Sequence, residues 1–581
     1  MTTACLAGAP DTFTVARWSD GAAGCRTDRM PWLRLMGHHC QTARAPDSGS
    51  DCLLDRRVIV ALLGFGLGPV LGESAHASGV PGTLVVAQAL DDVVSLDPAE
   101  GFELSSVQAF TSLYQRLIQP DPDTPSQLRP TLASSWQVGA DGLTLTFRLR
   151  PGAVFASGNP VRPDDVAYSL RRAVRLNRAP AFILNELGWT SANVDRLVSV
   201  IDANQVRVAW TARVGPAFVL NVLTAPVASI VDEVELERHD TGGDAGNAWL
   251  RSHSAGSGPF RIRRYIPHEA LVLDANPSAP GGGPLLKTVV IKNVADAASR
   301  RLLVDVGDAD IARDLGPDQI AALRGRDQLK VVEFPSATLH YLLFNASNPS
   351  NPVLKNPALW EAARWLIDYD MIASKLLKGQ FVVHQAFLAG GFPGALQTNP
   401  YRLDVDKARA ILARAGIPQG VTVKLDVFNQ PPFYDIAQSL QATFAQGGIT
   451  LQILPAVASE VYAKTRTRTE EAVWLYWIPD YFDAHSTASA FALNREDGTQ
   501  SIAWRAGWHI PTLSAMTEAA VAEQDPAKRT RLYEAIQAQV QASSPFIMAL
   551  QARTELVMRA NIQGYRQGLN ADMVYYDRVT K

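Results

Sequence analysis

Asp480, Asp483 and His485 crowd into one short stretch of a 581-residue chain, and few other residues here combine so much chemistry in so little sequence. Two carboxylates and one imidazole can hold a metal, form a polar wall against a solute, or cap a solvated turn. Metal is the weakest of these readings, because soft ligands are absent and a single imidazole is close. The search for catalytic spacing elsewhere is negative. There is no G-x-x-x-x-G-K-[ST] phosphate loop and no H-E-x-x-H zinc helix. Gly256-Ser257-Gly258 lacks the flanking spacing of a nucleophile elbow, and Gly281-Gly282-Gly283 leads into no clear helix N-terminus that would cradle phosphate. His38-His39-Cys40 suggests metal only inside a leader of irregular composition. No catalytic residue, cofactor or metal ion is expected. A chain of this size with no visible nucleophile–base pair points to binding.

The four cysteines, Cys5, Cys25, Cys40 and Cys52, all precede a stretch built like an export signal. It reads Arg56-Arg57, then an apolar run from Val58 to Leu71, then Ala75-His76-Ala77. A basic start, an apolar middle and a small-x-small site are the parts of a signal peptide. The run falls short of the ~20 apolar residues that span a bilayer, and Gly64, Gly66, Gly68 and Pro69 suit a core helix poorly. We expect residues 1–55 to be an extension that forms no domain, with translation starting nearer Arg56. A signal peptide is expected over 56–77, and a thiol-free mature chain from about Ser78. With no cysteine after the apolar run there is no lipid attachment site, so a free periplasmic protein is expected.

From Ser78 to Lys581 the chain exceeds what one hydrophobic core usually supports, which implies several lobes. Hydrophobic residues make up 47% and charged residues 19%, the balance of a soluble globular protein. A net charge of −3 gives no electrostatic case for nucleic acid or an anionic membrane as partner.

Strand and helix signals alternate along this part. Leu143, Leu145, Phe147 and Leu149 alternate with polar residues as a half-buried strand does. Pro163-Asp164-Asp165 opens a helix that places Val166, Leu170 and Val174 on one face. A helix over Asp406–Ala415 turns Ala408, Ile411, Leu412 and Ala415 inward and stops at Gly416. Val421 to Val427, the helix carrying Ile436, Leu440 and Phe444, and the strand Ile449 to Ile453 form a βαβ unit with parallel strands. A late helix begins at Asp525-Pro526, and the apolar segment Phe546 to Leu550 follows it.

Several blocks in order resemble the peptide-binding family of ABC-transporter substrate-binding proteins, family 5, the large periplasmic receptors for dipeptides and oligopeptides. They are Ser95-Leu96-Asp97-Pro98, Tyr114 to Ile118, Pro130-Thr131-Leu132-Ala133 with Trp136, and Asp141-Gly142-Leu143-Thr144 with Phe147 to Arg150. Phe155 through Gly158 to Asp164-Asp165-Val166, Gly256 to Phe260, Asn345 and Asp368 complete the set. Any one block is weak, and their order and spacing together are strong.

The resemblance implies an α/β, two-lobed periplasmic binding protein type II fold with an extra inserted domain, the cluster C type. Carried over by order, lobe one takes 78–112, 250–335 and 546–581, the insertion takes 113–249, and lobe two takes 336–545. It implies a receptor that captures peptides or peptide-like solutes between the lobes and hands them to the membrane permease, and a monomer suits such a diffusing carrier. Trp477-Ile478-Pro479-Asp480-Tyr481 resembles the family's W-x-x-D loop, whose aspartate pairs with a peptide α-ammonium. A partly desolvated carboxylate facing a cation forms charge-assisted hydrogen bonds, which suits that role. Trp477 would offer an apolar wall, Tyr481 would stand beside it, and Gly101 and Phe102 would line the cleft from lobe one. Gly101 would let ligand backbone approach closely. Where dipeptide receptors carry a carboxylate-clamping arginine, this chain reads Phe428-Asn429-Gln430-Pro431-Pro432, which puts Asn429 or Gln430 in its place. Losing a bidentate, permanently charged group argues against a short zwitterion gripped at both ends. The alternatives are a same-fold receptor for a non-peptide solute, such as an opine-like conjugate, a sugar derivative or a metal chelate, and a secreted hydrolase. The hydrolase would need an activated nucleophile or two carboxylates in the cleft, and neither is visible.

Overall fold

A computed structural model describes residues 81–495 and 501–581. The expected extension and signal peptide lie outside the described residues. Among the described residues no helix is long and apolar enough to cross a membrane.

An eleven-stranded mixed sheet organises the chain. In chain order its strands are β1 (Thr83–Gln88), β2 (Phe260–Ile266), β3 (Ala270–Ala275), β4 (Thr288–Asn293), β5 (Ile311–Ala312) and β6 (Leu329–Phe344). They continue with β7 (Phe381–Val383), β8 (Val421–Phe428), β9 (Ile449–Ala456), β10 (Ala472–Trp477) and β11 (Phe546–Arg559). The spatial order is β9-β8-β10-β6-β11-β5-β1-β4-β3-β2, with β7 on β11. β6 and β11 are long and antiparallel, and they tie the two ends of the sheet together. Their register shifts between Pro335 and Leu339.

The βαβ reading holds. β8 and β9 run parallel, Val421 opposite Ile449, and the helix Phe433–Gln446 crosses between them with Ile436, Leu440 and Phe444 buried. β10 then returns on the other side of β8, parallel to it and antiparallel to β6. Strands buried on both faces read as apolar runs rather than alternations, as in Val473-Trp474-Leu475 of β10.

Residues 133–209 carry a separate four-stranded antiparallel sheet, ordered Ala133–Val138, Thr144–Leu149, Gln205–Ala209, Val198–Asp202. The helix Pro163–Leu176 covers it with Val166, Leu170 and Val174 buried, as its spacing predicts. Leu143 departs from expectation. It is 48% exposed, because Asp141 holds a turn there through the Leu143 N–H and the strand starts at Thr144. Ala415 is exposed as well, since the helix Val405–Arg414 ends before it.

One buried ion pair locks the turn that leads to the site. Arg172, on the helix Pro163–Leu176, donates from Nη1 and Nη2 to Asp97 at 2.9 and 2.6 Å. Asp97 also accepts from Asn247 and from the Ala99 N–H. A bidentate, fully hydrogen-bonded pair is the form in which a buried charge is tolerable.

Candidate ligand-binding site

The carboxyl end of β10 opens into a cavity of about 1520 Å³. β10 stands between a parallel and an antiparallel neighbour. Carboxyl ends of strands at such changes of direction are where open α/β sheets leave crevices for ligands. Trp477, Asp480, Gly101, Phe102, Glu186 and Arg505 all lie on its lining.

Asp480 is half-buried, and its backbone N–H donates to Ser486 Oγ at 2.9 Å. Among the described residues no group donates to its carboxylate. Burial pushes the Asp480 carboxyl up to about 7. Withdrawing a carboxylate from water without supplying donors or a cation destabilises its charged form. Asp483, three residues on, is the opposite case. It accepts from Arg529 at 2.6 and 2.9 Å, from Asn221 at 2.7 Å and from the His485 N–H that it caps. Burial works against its charge, yet the Arg529 guanidinium holds its carboxyl below the ordinary range. His485 meets Tyr533 Oη at 3.2 Å, and burial pulls its imidazole down to about 3. Asp483 is thus the structural carboxylate of the loop, and Asp480 the uncompensated one.

The structure brings four of the expected residues to the cavity and leaves three outside its lining. Trp477 packs edge-on against Phe491 at 5.6 Å with its Nε1 buried, so a ring surface rather than its N–H faces solute. Phe102 stands at the rim, 38% exposed, edge-to-face with Phe182 at 5.7 Å. Gly101 lines the wall, but packing is what demands its glycine. A Cβ there would lie 2.4 Å from Ser95 O and 2.8 Å from Phe110 Cζ. Tyr481 turns away from the cavity, is buried against Phe218, and donates its hydroxyl to Glu186 at 2.7 Å. Asn429 and Gln430 are exposed after β8 and contribute nothing to the lining. Side chains at the end of a strand alternate in direction, so a loop can lie near a site and still point elsewhere.

Glu186 is the lining residue that sequence reasoning missed; Arg505 is open to an anionic-ligand contact from its charge alone, and the structure places it on the lining. Burial, together with the charges of Asp480 and Asp483, pushes the Glu186 carboxyl up to about 8 against the pull of its Tyr481 hydrogen bond. No local signal marks Glu186, which reaches Asp480 only through folding.

The chain belongs to the bacterial extracellular solute-binding proteins, family 5, whose central model matches residues 127–499. It is 27% identical over 495 residues to the probable D,D-dipeptide-binding periplasmic protein DdpA of Escherichia coli K12, covering 84% of this chain and 92% of that one. Its fold matches the periplasmic binding protein DppA of Helicobacter pylori, solved with the peptide STSA, at a TM-score of 0.71 and 20% identity, over 86% of this chain and 98% of that one. It also matches NikA of Brucella suis, solved with Fe(III)-EDTA, at 0.74 and 18% identity, over 86% and 99%. The mixed α/β architecture is therefore that of the family 5 solute receptors.

Proposed function

We propose that this chain is the periplasmic receptor of an ABC importer, capturing peptides or peptide-like solutes in the cavity and delivering them to a membrane permease without turning them over. The observation that carries this reading is Asp480, a half-buried carboxylate with no donor on the wall of a cavity of about 1520 Å³. An α-ammonium would supply the missing cation and return the charged form to stability. Trp477 and Phe102 supply apolar surface for side chains. The similarity to DdpA and to DppA with its bound peptide supports the peptide class.

We assign lobe one to 78–112, 250–335 and 546–581, the insertion to 113–249 and lobe two to 336–545, with β6 running across the boundary at 335 and pairing with β11 on both sides of it. Closing the walls on a solute would favour the closed form through contacts made only there. The protein would act as a diffusing monomer in the periplasm.

The test is to express the full chain, purify the exported protein natively, denature it and identify the released small molecules by mass spectrometry. A ladder of peptides is the expected result. A single non-peptide compound would overturn the substrate class, and product formed from added peptides would overturn the receptor role, since Asp480 and Glu186 do supply two carboxylates to one cavity.

A further inference from the structure

Among the described residues, the other buried arginines are spoken for. Arg116 pairs with Asp572, Arg172 with Asp97, Arg300 with four backbone carbonyls, Arg313 with Tyr565, and Arg364 with Ser544. Arg529 is held by Asp483, and Arg495, at the cavity mouth, by Glu518. Arg505 differs. It is half-buried on the cavity lining, and no group among the described residues accepts from its guanidinium. Its Nε is shut off from solvent with no acceptor.

The fold holds Arg505 in this state. It ends the short helix Ile502–Arg505, which Ser501 caps by accepting the Trp504 N–H at 3.1 Å. Its charged and titratable neighbours are Tyr341 on β6, Tyr462 and Arg466 on the helix Ala458–Thr467, and Glu470 before β10. The phenols carry no charge at neutral pH, and Arg466 repels. Glu470 is buried with both carboxylate oxygens unpartnered, so neither accepts from Arg505, and burial pushes its carboxyl up to about 8. Burial pulls the Arg505 guanidinium below its ordinary range, and Glu470, which accepts no hydrogen bond from it, offsets this only in part. Arg505 exerts no pull on Asp480, whose carboxyl responds to burial alone. The cavity lining therefore carries a carboxylate with no donor and a half-buried guanidinium with no acceptor, while Arg213 and Arg466, also on the lining, are exposed to solvent.

We propose that Arg505 is the anion-binding residue of the cavity, taking the carboxylate of a solute whose cationic end rests on Asp480. This rests on the peptide-receptor reading above and deepens it. The exposed Asn429 and Gln430 do not grip the ligand, and a different element supplies the positive charge. A guanidinium offers a planar fork of donors to a carboxylate, and the Arg505 Nε, already shut off from solvent, has no water to give up for such a pair. The preferred solute is zwitterionic, with its two charged ends separated along the cavity.

The experiment measures binding calorimetrically on ligand-stripped full-length protein exported to the periplasm. The probes are free peptides of two to five residues, Ala-Phe followed by zero to three alanines, and the C-amide of the tightest binder. The proteins are the parent, Arg505→Gln, Arg505→Lys and Asp480→Asn. The parent should prefer the free acid to the amide. Arg505→Gln should weaken the free acid by about 30-fold or more and leave the amide unchanged, so that discrimination disappears. Arg505→Lys should recover part of it. If Arg505→Gln fails to fold, Arg505→Lys still decides, because it keeps the charge and loses the fork. An unchanged acid-to-amide ratio in the variants overturns the proposal, as does equal weakening of acid and amide, which marks a packing role. If Asp480→Asn abolishes binding while Arg505→Gln does not, only the Arg505 assignment falls. If the parent binds none of the peptides, the peptide reading falls and this inference with it.

Discussion

Replacing Asp480 by asparagine should stabilise the empty protein while destroying its grip on solute. The carboxyl rises from 3.8 to about 7 through burial alone. Each tenfold change in a protonation equilibrium is worth about 1.4 kcal/mol, so carrying the charge at pH 8 costs the empty fold at most about 4 kcal/mol. Asp480 is only half-buried, and water in the cavity reduces that ceiling to roughly 1–2 kcal/mol. The sign follows from linkage. A carboxyl raised on folding means that the folded state binds more protons. Its stability is therefore full below the ordinary carboxylate range and is lost as pH climbs through about 7. Asparagine carries no such charge. For a chain of this size, unfolding entropy near 2 cal/mol/K per residue makes 1 kcal/mol worth about 1 °C. Ligand-stripped Asp480→Asn should therefore melt about 1–2 °C above the parent at pH 8, with the gap narrowing as pH falls and closing only near the ordinary carboxylate range, about pH 4. Calorimetric scans from about pH 4 to pH 8 measure this directly. The same variant should bind free-amine peptides more weakly by about 2–5 kcal/mol. A variant that melts below the parent at pH 8, or a gap that does not vary with pH, would refute the claim that Asp480 is uncompensated.

Asp483→Ala should do the reverse. It strands the Arg529 guanidinium in a buried position, so unfolding free energy should fall by about 3–5 kcal/mol, readable as a lower urea midpoint at unchanged slope. An unaltered midpoint would mean that Arg529 finds another partner. The double variant Asn429→Ala, Gln430→Ala should leave peptide affinity within about twofold of the parent, the size expected of exposed positions off the site. A tenfold loss by titration calorimetry would return those residues to the ligand.

Much of this protein is legible in its linear chain because the governing forces are local. The crossover from β8 to β9 follows from apolar spacing at Ile436, Leu440 and Phe444 and from the glycines behind them. The helix at Pro163 follows from a proline and two carboxylates at its positive end. Asp480 is singled out by its place in a W-x-x-D loop, a matter of sequence order, and the fold puts it on the cavity lining. Leu143 and Ala415 mislead at element ends, where a side-chain turn or a helix stop overrides periodicity within a residue or two.

What only tertiary structure decided is which groups share an environment. Asp480 and Asp483 are three positions apart and chemically alike, yet Arg529 and Asn221 arrive from distant segments to neutralise one and leave the other bare. Tyr481 carries the loop's sequence signature but spends its hydroxyl on Glu186. Glu186 itself has no signature at all. Gly101 lines the cavity for a reason the chain does not announce, the nearness of Ser95 and Phe110. Arg505 offers the sequence only its charge, and it is the fold that leaves it half-buried on the cavity lining with no acceptor for its Nε. Element formation answers to neighbours a few residues away, whereas charge compensation answers to whatever the packed chain brings within a few ångströms.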